Sequence, residues 1–180
     1  MSISAQDVKS LREKTGAGMM DCKRALVEVS GDLIQAERKL KEMGLSAAAK
    51  RSARATTEGR IFSVVNDSAA IIELSSETDF VARNIQFREL GERIVNHVAK
   101  GKLAKDSPET TAWITEAISK IKENISLRRI KSMPIAPGDY VSHYVHGEGN
   151  IGVLVKLHST DSAVVDIEKI KRVAFDLALH

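Results

Sequence analysis

Three scarcities limit what this 180-residue chain can be. Cys22 is its single cysteine, which excludes an intrachain disulfide and predicts a reducing, cytoplasmic setting. No apolar run approaches the roughly 18 residues of a membrane span, so we expect no membrane partner. The first ten residues, MSISAQDVKS, contain neither a basic nor an apolar segment and therefore do not resemble a signal peptide.

Residue patterns typical of metal, nucleotide or catalytic sites are also scarce. His143 and His146 are three residues apart in a predicted strand, so they point to opposite faces, and no cysteine or carboxylate cluster joins them to hold a metal. Residues 147–152 match G-x-G-x-x-G, but a strand pattern follows where a dinucleotide site needs a helix, so a hairpin turn is predicted. Cys22 lies on an apolar helix stripe, which favours packing over reactivity. We therefore predict no cofactor, no catalytic residue and no enzymatic activity.

The remaining composition is that of an ordinary globular protein, with 43% hydrophobic and 28% charged residues. The net charge of +3 and the pI of about 9.0 permit an acidic partner or weak nucleic-acid contact without requiring either. A basic group within residues 50–60 could contact phosphates, although a solvated linker is the favoured interpretation. Its members are Lys50, Arg51, Arg54 and Arg60.

The first 46 residues predict a three-helix module. Ser4 and Asp7 indicate the first helix start, and the glycines of KTGAGM break that helix. A second helix carries Cys22 on its apolar face, and the segment SGD at residues 30–32 ends it and caps a third. Gly44 predicts the end of the third helix. Residues 47–58 then read as a basic linker that is in part helical.

The rest of the chain reads as a duplication. Residues 59–138 and 139–180 each begin with strand, turn and strand and then lead into a helix. The first such helix has Phe87, Leu90, Ile94 and Val98 on its apolar face, and the second has Ile167, Ile170, Ala174 and Leu177. Between the copies, a further helix is predicted from Ile114, Ile118, Ile121 and Ile125. The predicted fold class is α+β, with antiparallel hairpins backed by helices after the helical N-terminal module.

The stretch SSETDFVARN, residues 75–84, joins a predicted buried strand to a predicted amphipathic helix. It places Phe80 beside Asp79, although aromatic residues make up only 4% of the chain. Because most phenylalanines are buried, residue physics alone favours Phe80 packed beneath this corner. The corner recurs loosely in the second copy as Ser159-Thr160-Asp161, without an equivalent of Phe80.

Four stretches in order resemble the bacterial elongation factor Ts family. Residues 8–44, VKSLREKTGAGMMDCKRALVEVSGDLIQAERKLKEMG, resemble its N-terminal module, a three-helix domain similar to ubiquitin-associated domains. ETDFVARN, residues 77–84, resembles the second family signature. ENISLRRI at 123–130 and HGEGNIGVLV at 146–155 resemble later family segments, so the resemblance covers nearly the whole chain.

The resemblance implies a guanine-nucleotide exchange factor for elongation factor Tu, bound in its GDP-loaded and nucleotide-free states. It implies that a set of four residues disturbs the partner's Mg²⁺ site, and that the Phe80 ring enters an apolar pocket of the partner. The four residues are Thr78, Asp79, Phe80 and Val81. It implies further contacts with the partner from Met19, Met20, Lys23, His146, Gly147 and Ile151. Direct nucleic-acid binding is not expected.

Two further expectations concern assembly and rival functions. Longer family members continue past the point that matches His180, and short members are expected to pair, so the resemblance implies a homodimer. The main alternative is an RNA-binding protein with a helical N-terminal module, which steeply salt-sensitive binding would favour. An enzyme using Asp79 and a histidine, or a ubiquitin-like binding module, are further alternatives.

Overall fold

A computed structural model describes residues 3–159 and 167–180. The described helices are α1 Ala5–Thr15, α2 Met19–Glu28, α3 Leu33–Arg51, α4 Asp79–Arg83, α5 Ile85–Ala99, α6 Pro108–Ile121 and α7 Ile167–Leu179. The described strands are β1 Glu58–Val65, β2 Ser68–Ser76, β3 Ile125–Pro134, β4 Asp139–His146 and β5 Ile151–His158. They form two antiparallel sheets, ordered β1-β2-β3 and β4-β5, which confirms the α+β class. None of the described helices is long and apolar enough to cross a bilayer.

The N-terminal helices begin where their capping residues predict. Ser4 Oγ accepts a hydrogen bond from the Asp7 backbone N–H at 3.1 Å, and the Asp7 carboxylate accepts one from the Ser4 N–H at 3.1 Å. Asp32 caps α3 by accepting from two backbone N–H groups, and these bonds lower the pKa of its carboxyl. The three helices enclose a small core, as predicted for Cys22. Its buried side chains are Val8, Leu11, Cys22, Ala25, Leu26, Ala36 and Leu40.

The predicted end of α3 at Gly44 is wrong, because the helix continues to Arg51. The residues after the glycine, LSAAAKR, are mostly good helix formers. Ala48 packs against the main core, which is the buried cluster around Ile72 of β2, Phe87 of α5 and Leu127 of β3. Gly44 instead lets α3 approach α6, since a Cβ at that residue would lie 3.0 Å from Ser119 Oγ. The segment read as a linker from residue 47 is therefore helical over its first five residues.

The first hairpin and its helix are confirmed. β1 and β2 flank an Asn66-Asp67 turn, and α5 buries the predicted side chains Phe87, Leu90, Ile94 and Val98. Gly91 faces the sheet, where a Cβ would stand 2.3 Å from the Phe62 ring, so this glycine permits close packing of α5 on β1.

The prediction that Ile125 continues the helix of Ile114, Ile118 and Ile121 is wrong. Helix α6 ends at Ile121, Lys122 adopts a left-handed φ of 70°, and Ile125 begins β3. Ile125 pairs with Ser76 of β2, so the first sheet gains a third strand that the sequence pattern did not indicate. The two halves are therefore related by their hairpin and helix, and within the described residues the first has three strands and the second two.

The second hairpin is also confirmed, with the glycine motif in its turn and β5 directly after it. Helix α7 packs on this sheet through Ala174 and Ala178, whereas Ile167 and Leu177 of the predicted stripe are exposed. A two-stranded sheet covers only part of the apolar face of a 13-residue helix. Residues Thr160 and Asp161 of the predicted second corner lie outside the described residues.

Asp139 anchors the open end of the second hairpin. Its side chain is 3% exposed, and it accepts hydrogen bonds from Lys156 Nζ at 2.6 Å and from the Ala136 N–H at 2.8 Å. His158 Nδ1 lies 2.9 Å from the other carboxylate oxygen. The Lys156 hydrogen bond, followed by the backbone hydrogen bond, holds the pKa of Asp139 well below its usual value.

Candidate interaction surface

The stretch SSETDFVARN folds as a sharp corner in which β2 ends at Ser76 and α4 begins at Asp79. We call residues 77–83 the corner. Thr78 is the N-cap of α4, in an extended conformation, and its hydroxyl accepts from the Val81 N–H at 3.4 Å. Within this single helical turn, Val81 and Ala82 face the core, whereas Phe80 is 79% exposed. The expectation that Phe80 packs beneath the corner is therefore wrong.

The corner is attached to the segment between α6 and β3. The Glu123 carboxylate accepts from the Thr78 N–H at 3.0 Å and from the Thr78 hydroxyl at 2.8 Å. In return, the Glu77 carboxylate accepts from the Asn124 N–H at 2.6 Å. We call Glu77, Thr78, Glu123 and Asn124 the clasp. Because both ends of the clasp involve backbone groups, it fixes the path of the chain as well as its side chains.

The corner is also attached to the turn between β4 and β5. Glu148 Oε2 accepts from Arg83 Nε at 3.1 Å and from an Arg60 guanidinium nitrogen at 3.2 Å. Arg60 Nε donates to the carbonyl of Ala82 at 2.7 Å, so one arginine contacts both α4 and the turn. Behind it, the Ile61 N–H donates to the Gly149 carbonyl at 2.7 Å. Gly149 has a φ of 101°, and a Cβ there would lie 3.3 Å from the Ile61 carbonyl.

These contacts bring the predicted corner residues close to three of the six further contacts that the resemblance implies. Gly147 lies in the turn that the Arg60 and Glu148 ion pair holds against α4, and this turn is flanked by His146 at the end of β4 and Ile151 at the start of β5. Ile151 is 58% exposed, and the surroundings of Gly147 are open. This part of the surface therefore displays apolar side chains from both halves of the duplicated core, with charged residues at their base.

The other three of these further contacts lie on α2. Met19 and Met20 are exposed, and Lys23 is exposed on the same helix. The α2 helix packs against α1 and α3, and Asp21 joins it to the core through an ion pair with Lys122 at 2.8 Å. Within residues 3–159 and 167–180, no hydrogen bond or ion pair connects Met19, Met20 or Lys23 to the corner.

Two of the predicted corner residues differ in their surroundings. Val81 is 8% exposed and packs in the main core, so a direct partner contact through its side chain does not fit the structure. Asp79 is half exposed and lies 3.7 Å from the Arg83 guanidinium, one helical turn away. A carboxylate in the first turn also suits the positive end of a helix.

The residues that sequence reasoning missed are those that fix the corner. Arg60 was grouped with linker cations, but it lies in β1 with its side chain 16% exposed and bonded to two elements. Arg54 of the same group pairs with Glu77 at 3.4 Å. Glu123 and Glu148 gave no local signal, because their partners are 45 and 65 residues away in the sequence. The strand pattern of GRIFSVV was the one available indication that Arg60 belongs to a sheet.

The structure displays an exposed apolar side chain on a corner that hydrogen bonds hold to an α+β core. This geometry defines a class of protein that binds another macromolecule through a preformed surface. Comparison with known proteins gives the family. The family model for elongation factor TS matches residues 77–180, which begin at the corner. The chain belongs to the elongation factor Ts family.

Individual relatives match over the full chain. It is 42% identical over 191 residues to elongation factor Ts of Bdellovibrio bacteriovorus, which covers 100% of this chain and 62% of the relative. It is 37% identical over 182 residues to elongation factor Ts of Treponema denticola, with 100% and 65% covered. For the Aquifex aeolicus protein the values are 41% over 198 residues, with 99% and 68% covered. The chain thus spans slightly less than two thirds of the first two relatives.

Proposed function

We propose that this protein is a guanine-nucleotide exchange factor that binds elongation factor Tu and promotes release of its GDP. The observation that carries the proposal is Phe80, which is 79% exposed on a corner fixed from two sides in a chain of the elongation factor Ts family. Because folding leaves this large apolar side chain in water, most of its burial free energy is still available to a partner that covers it.

The mechanism follows from reciprocal linkage. GDP leaves slowly because a phosphate-binding loop and Mg²⁺ hold it. A factor that binds the distorted or empty GTPase more tightly than the GDP-loaded one weakens GDP binding by the same ratio. Complete burial of a phenylalanine is worth about 1.5–3 kcal/mol, which is roughly a ten- to hundredfold change in an equilibrium. That free energy becomes available only when the partner opens a pocket for the ring, so no bond chemistry is needed.

We assign roles to the exposed residues accordingly. Phe80 enters an apolar pocket of the partner, and Asp79 acts at the partner's Mg²⁺ site, with Thr78 holding the start of α4. Val81 supports the corner from the core rather than contacting the partner. Secondary contacts come from the turn and from α2. They involve His146, Gly147, Ile151, Met19, Met20 and Lys23.

We further propose that residues 1–46 act as a module that adds affinity more than exchange power. Its core is separate from the main core, and its exposed methionines lie on α2, which carries no residue of the clasp. We place this function in the cytoplasm, with no membrane, no cofactor and no direct nucleic-acid contact.

A homodimer is part of the proposal. Within the described residues, β4 and β5 pair only with each other, which leaves sheet edges whose backbone groups can accept another strand. Beside them, α7 exposes a set of large apolar side chains. They are Val173, Phe175, Leu177 and Leu179.

Release of fluorescently labelled GDP from elongation factor Tu tests the exchange function. We expect a molar excess of this protein to accelerate release strongly, with no hydrolysis of GTP by the protein alone. An unchanged release rate, with the factor folded, would refute the proposal. If the protein instead binds RNA with a steep dependence on salt concentration, the RNA-binding alternative is favoured.

A further inference from the structure

The Thr78 side chain and backbone both depend on one carboxylate. Glu123 accepts from the Thr78 N–H at 3.0 Å with Oε2 and from the hydroxyl at 2.8 Å with Oε1. The Thr78 hydroxyl is thereby oriented so that its oxygen can accept from the Val81 N–H as the cap of α4. The carboxylate of Glu123 therefore reaches the first turn of the helix that carries Phe80.

We propose that Glu123 is a positioning residue for nucleotide exchange, which fixes Thr78 and so holds Phe80 in its presented orientation. The inference rests on the proposed function, because it assigns Glu123 a part in that activity. Glu123 itself is half-buried beneath the corner and is not offered as a contact of the partner.

The geometry of the α6–β3 connection supports this role. The left-handed φ of 70° at Lys122 turns the chain sharply after α6, so that residues 123 and 124 run beside the corner. Asn124 donates its N–H to Glu77 at 2.6 Å, and its side-chain amide donates to the Arg54 carbonyl at 2.8 Å. The clasp thus links two segments reciprocally, and Glu123 is supported by the residue that follows it.

The charge of Glu123 matters as well as its shape. An ionised carboxylate can only accept hydrogen bonds, and both groups that Thr78 offers are donors. A glutamine at this residue can accept from the Thr78 N–H, but its NH₂ group could reach the hydroxyl only by donating to the oxygen that already accepts from the Val81 N–H. Hydrogen bonds to an ionised group are stronger than neutral ones, so the loss of one should loosen the corner measurably.

The first experiment measures GDP release from elongation factor Tu with wild-type protein and with Glu123→Ala. We expect the release rate at saturating factor to fall about tenfold, as for loss of a charge-assisted pair of bonds. The half-saturating concentration should change by no more than about twofold, because the contact surface keeps its residues. Glu92→Ala, at an exposed glutamate on α5, is the matched control and should retain the wild-type rate.

A double-mutant cycle with Phe80→Ala separates positioning from general support. If Glu123 acts by placing the ring, Glu123→Ala should have little further effect on release once the ring is absent. Independent, multiplicative losses would overturn the proposal. If Glu123→Ala does not fold, Glu123→Gln replaces it in the same cycle, since it keeps the size of the side chain.

A readout without the partner completes the test. In the free protein, hydrogen exchange at the Thr78 amide should accelerate at least about tenfold in Glu123→Ala, with unchanged protection in the centre of β2. Unchanged Thr78 protection would overturn the proposal. A wild-type protein that does not accelerate GDP release would refute the proposed function itself, whereas acceleration that Glu123→Ala retains would refute the role of Glu123 alone.

Discussion

Truncation of Phe80 should separate folding from exchange. Folding buries only about a fifth of this side chain, since 79% of it is exposed. At about 1.5–3 kcal/mol for complete burial, Phe80→Ala removes about 0.3–0.6 kcal/mol of stabilisation. Alanine is the better helix former, which offsets part of this loss in α4. We therefore expect the free energy of unfolding to change by no more than about 0.5 kcal/mol.

Binding should show the opposite response. If the partner's pocket buries the remaining four fifths of the ring, the truncation costs about 1.2–2.4 kcal/mol of interaction with the open partner. This corresponds to roughly an eightfold to 60-fold loss of exchange. The assay combines a urea melt of the free variant with release of labelled GDP at saturating factor.

Phe87→Ala provides the matched control for Phe80→Ala. Phe87 is fully buried in the main core, so its truncation should destabilise the protein by about 3–5 kcal/mol. The reasoning would be refuted if Phe80→Ala lowered the melt midpoint as strongly as Phe87→Ala while exchange stayed normal. Phe80 would then stabilise this protein rather than engage a partner.

Two further predictions concern the second half of the core. Because the folded pKa of Asp139 is depressed, its stabilising contribution is complete above the unfolded value of about 3.9 and is lost as the pH falls toward the folded pKa. The difference in urea midpoint between wild type and Asp139→Asn should therefore be large at pH 5 and shrink below about pH 4, whereas the exposed control Asp176→Asn should show almost no difference. Multi-angle light scattering at tens of micromolar, a working range for interfaces of moderate affinity, should report a homodimer. A strict monomer at those concentrations would contradict the pairing of open edges.

Local signals predicted the helix starts and hairpins because the responsible contacts span only a few residues. The Ser4 and Asp7 capping box and the two-residue turn at 66–67 are of this kind. The predicted helix end at Gly44 was wrong because a glycine can either end a helix or allow a neighbouring helix to pack closely. The contact that decides between the two is with Ser119, which is far away in the sequence. Ile125 was wrongly predicted to be helical because its spacing continues the apolar pattern of α6, although the chain turns at Lys122.

The site was predictable only in part for the same reason. The exposure of Phe80 agrees with the resemblance to the family, and it contradicts what burial statistics alone favour. The clasp and the Arg60 contacts were not predictable, because each joins segments that the sequence separates by more than 20 residues. Long-range polar pairs carry no periodicity, so they become visible only once the sheets and helices are in place.

The burial of the single cysteine has a practical consequence for spectroscopy. Cys22 is fully buried, and this burial raises the pKa of its thiol, so little reactive thiolate is present at neutral pH. A second cysteine introduced on the exposed face of α4 or at the β4–β5 turn would therefore react selectively with a maleimide probe. Distances between such a probe and a labelled partner could then be followed in real time without first removing the native thiol.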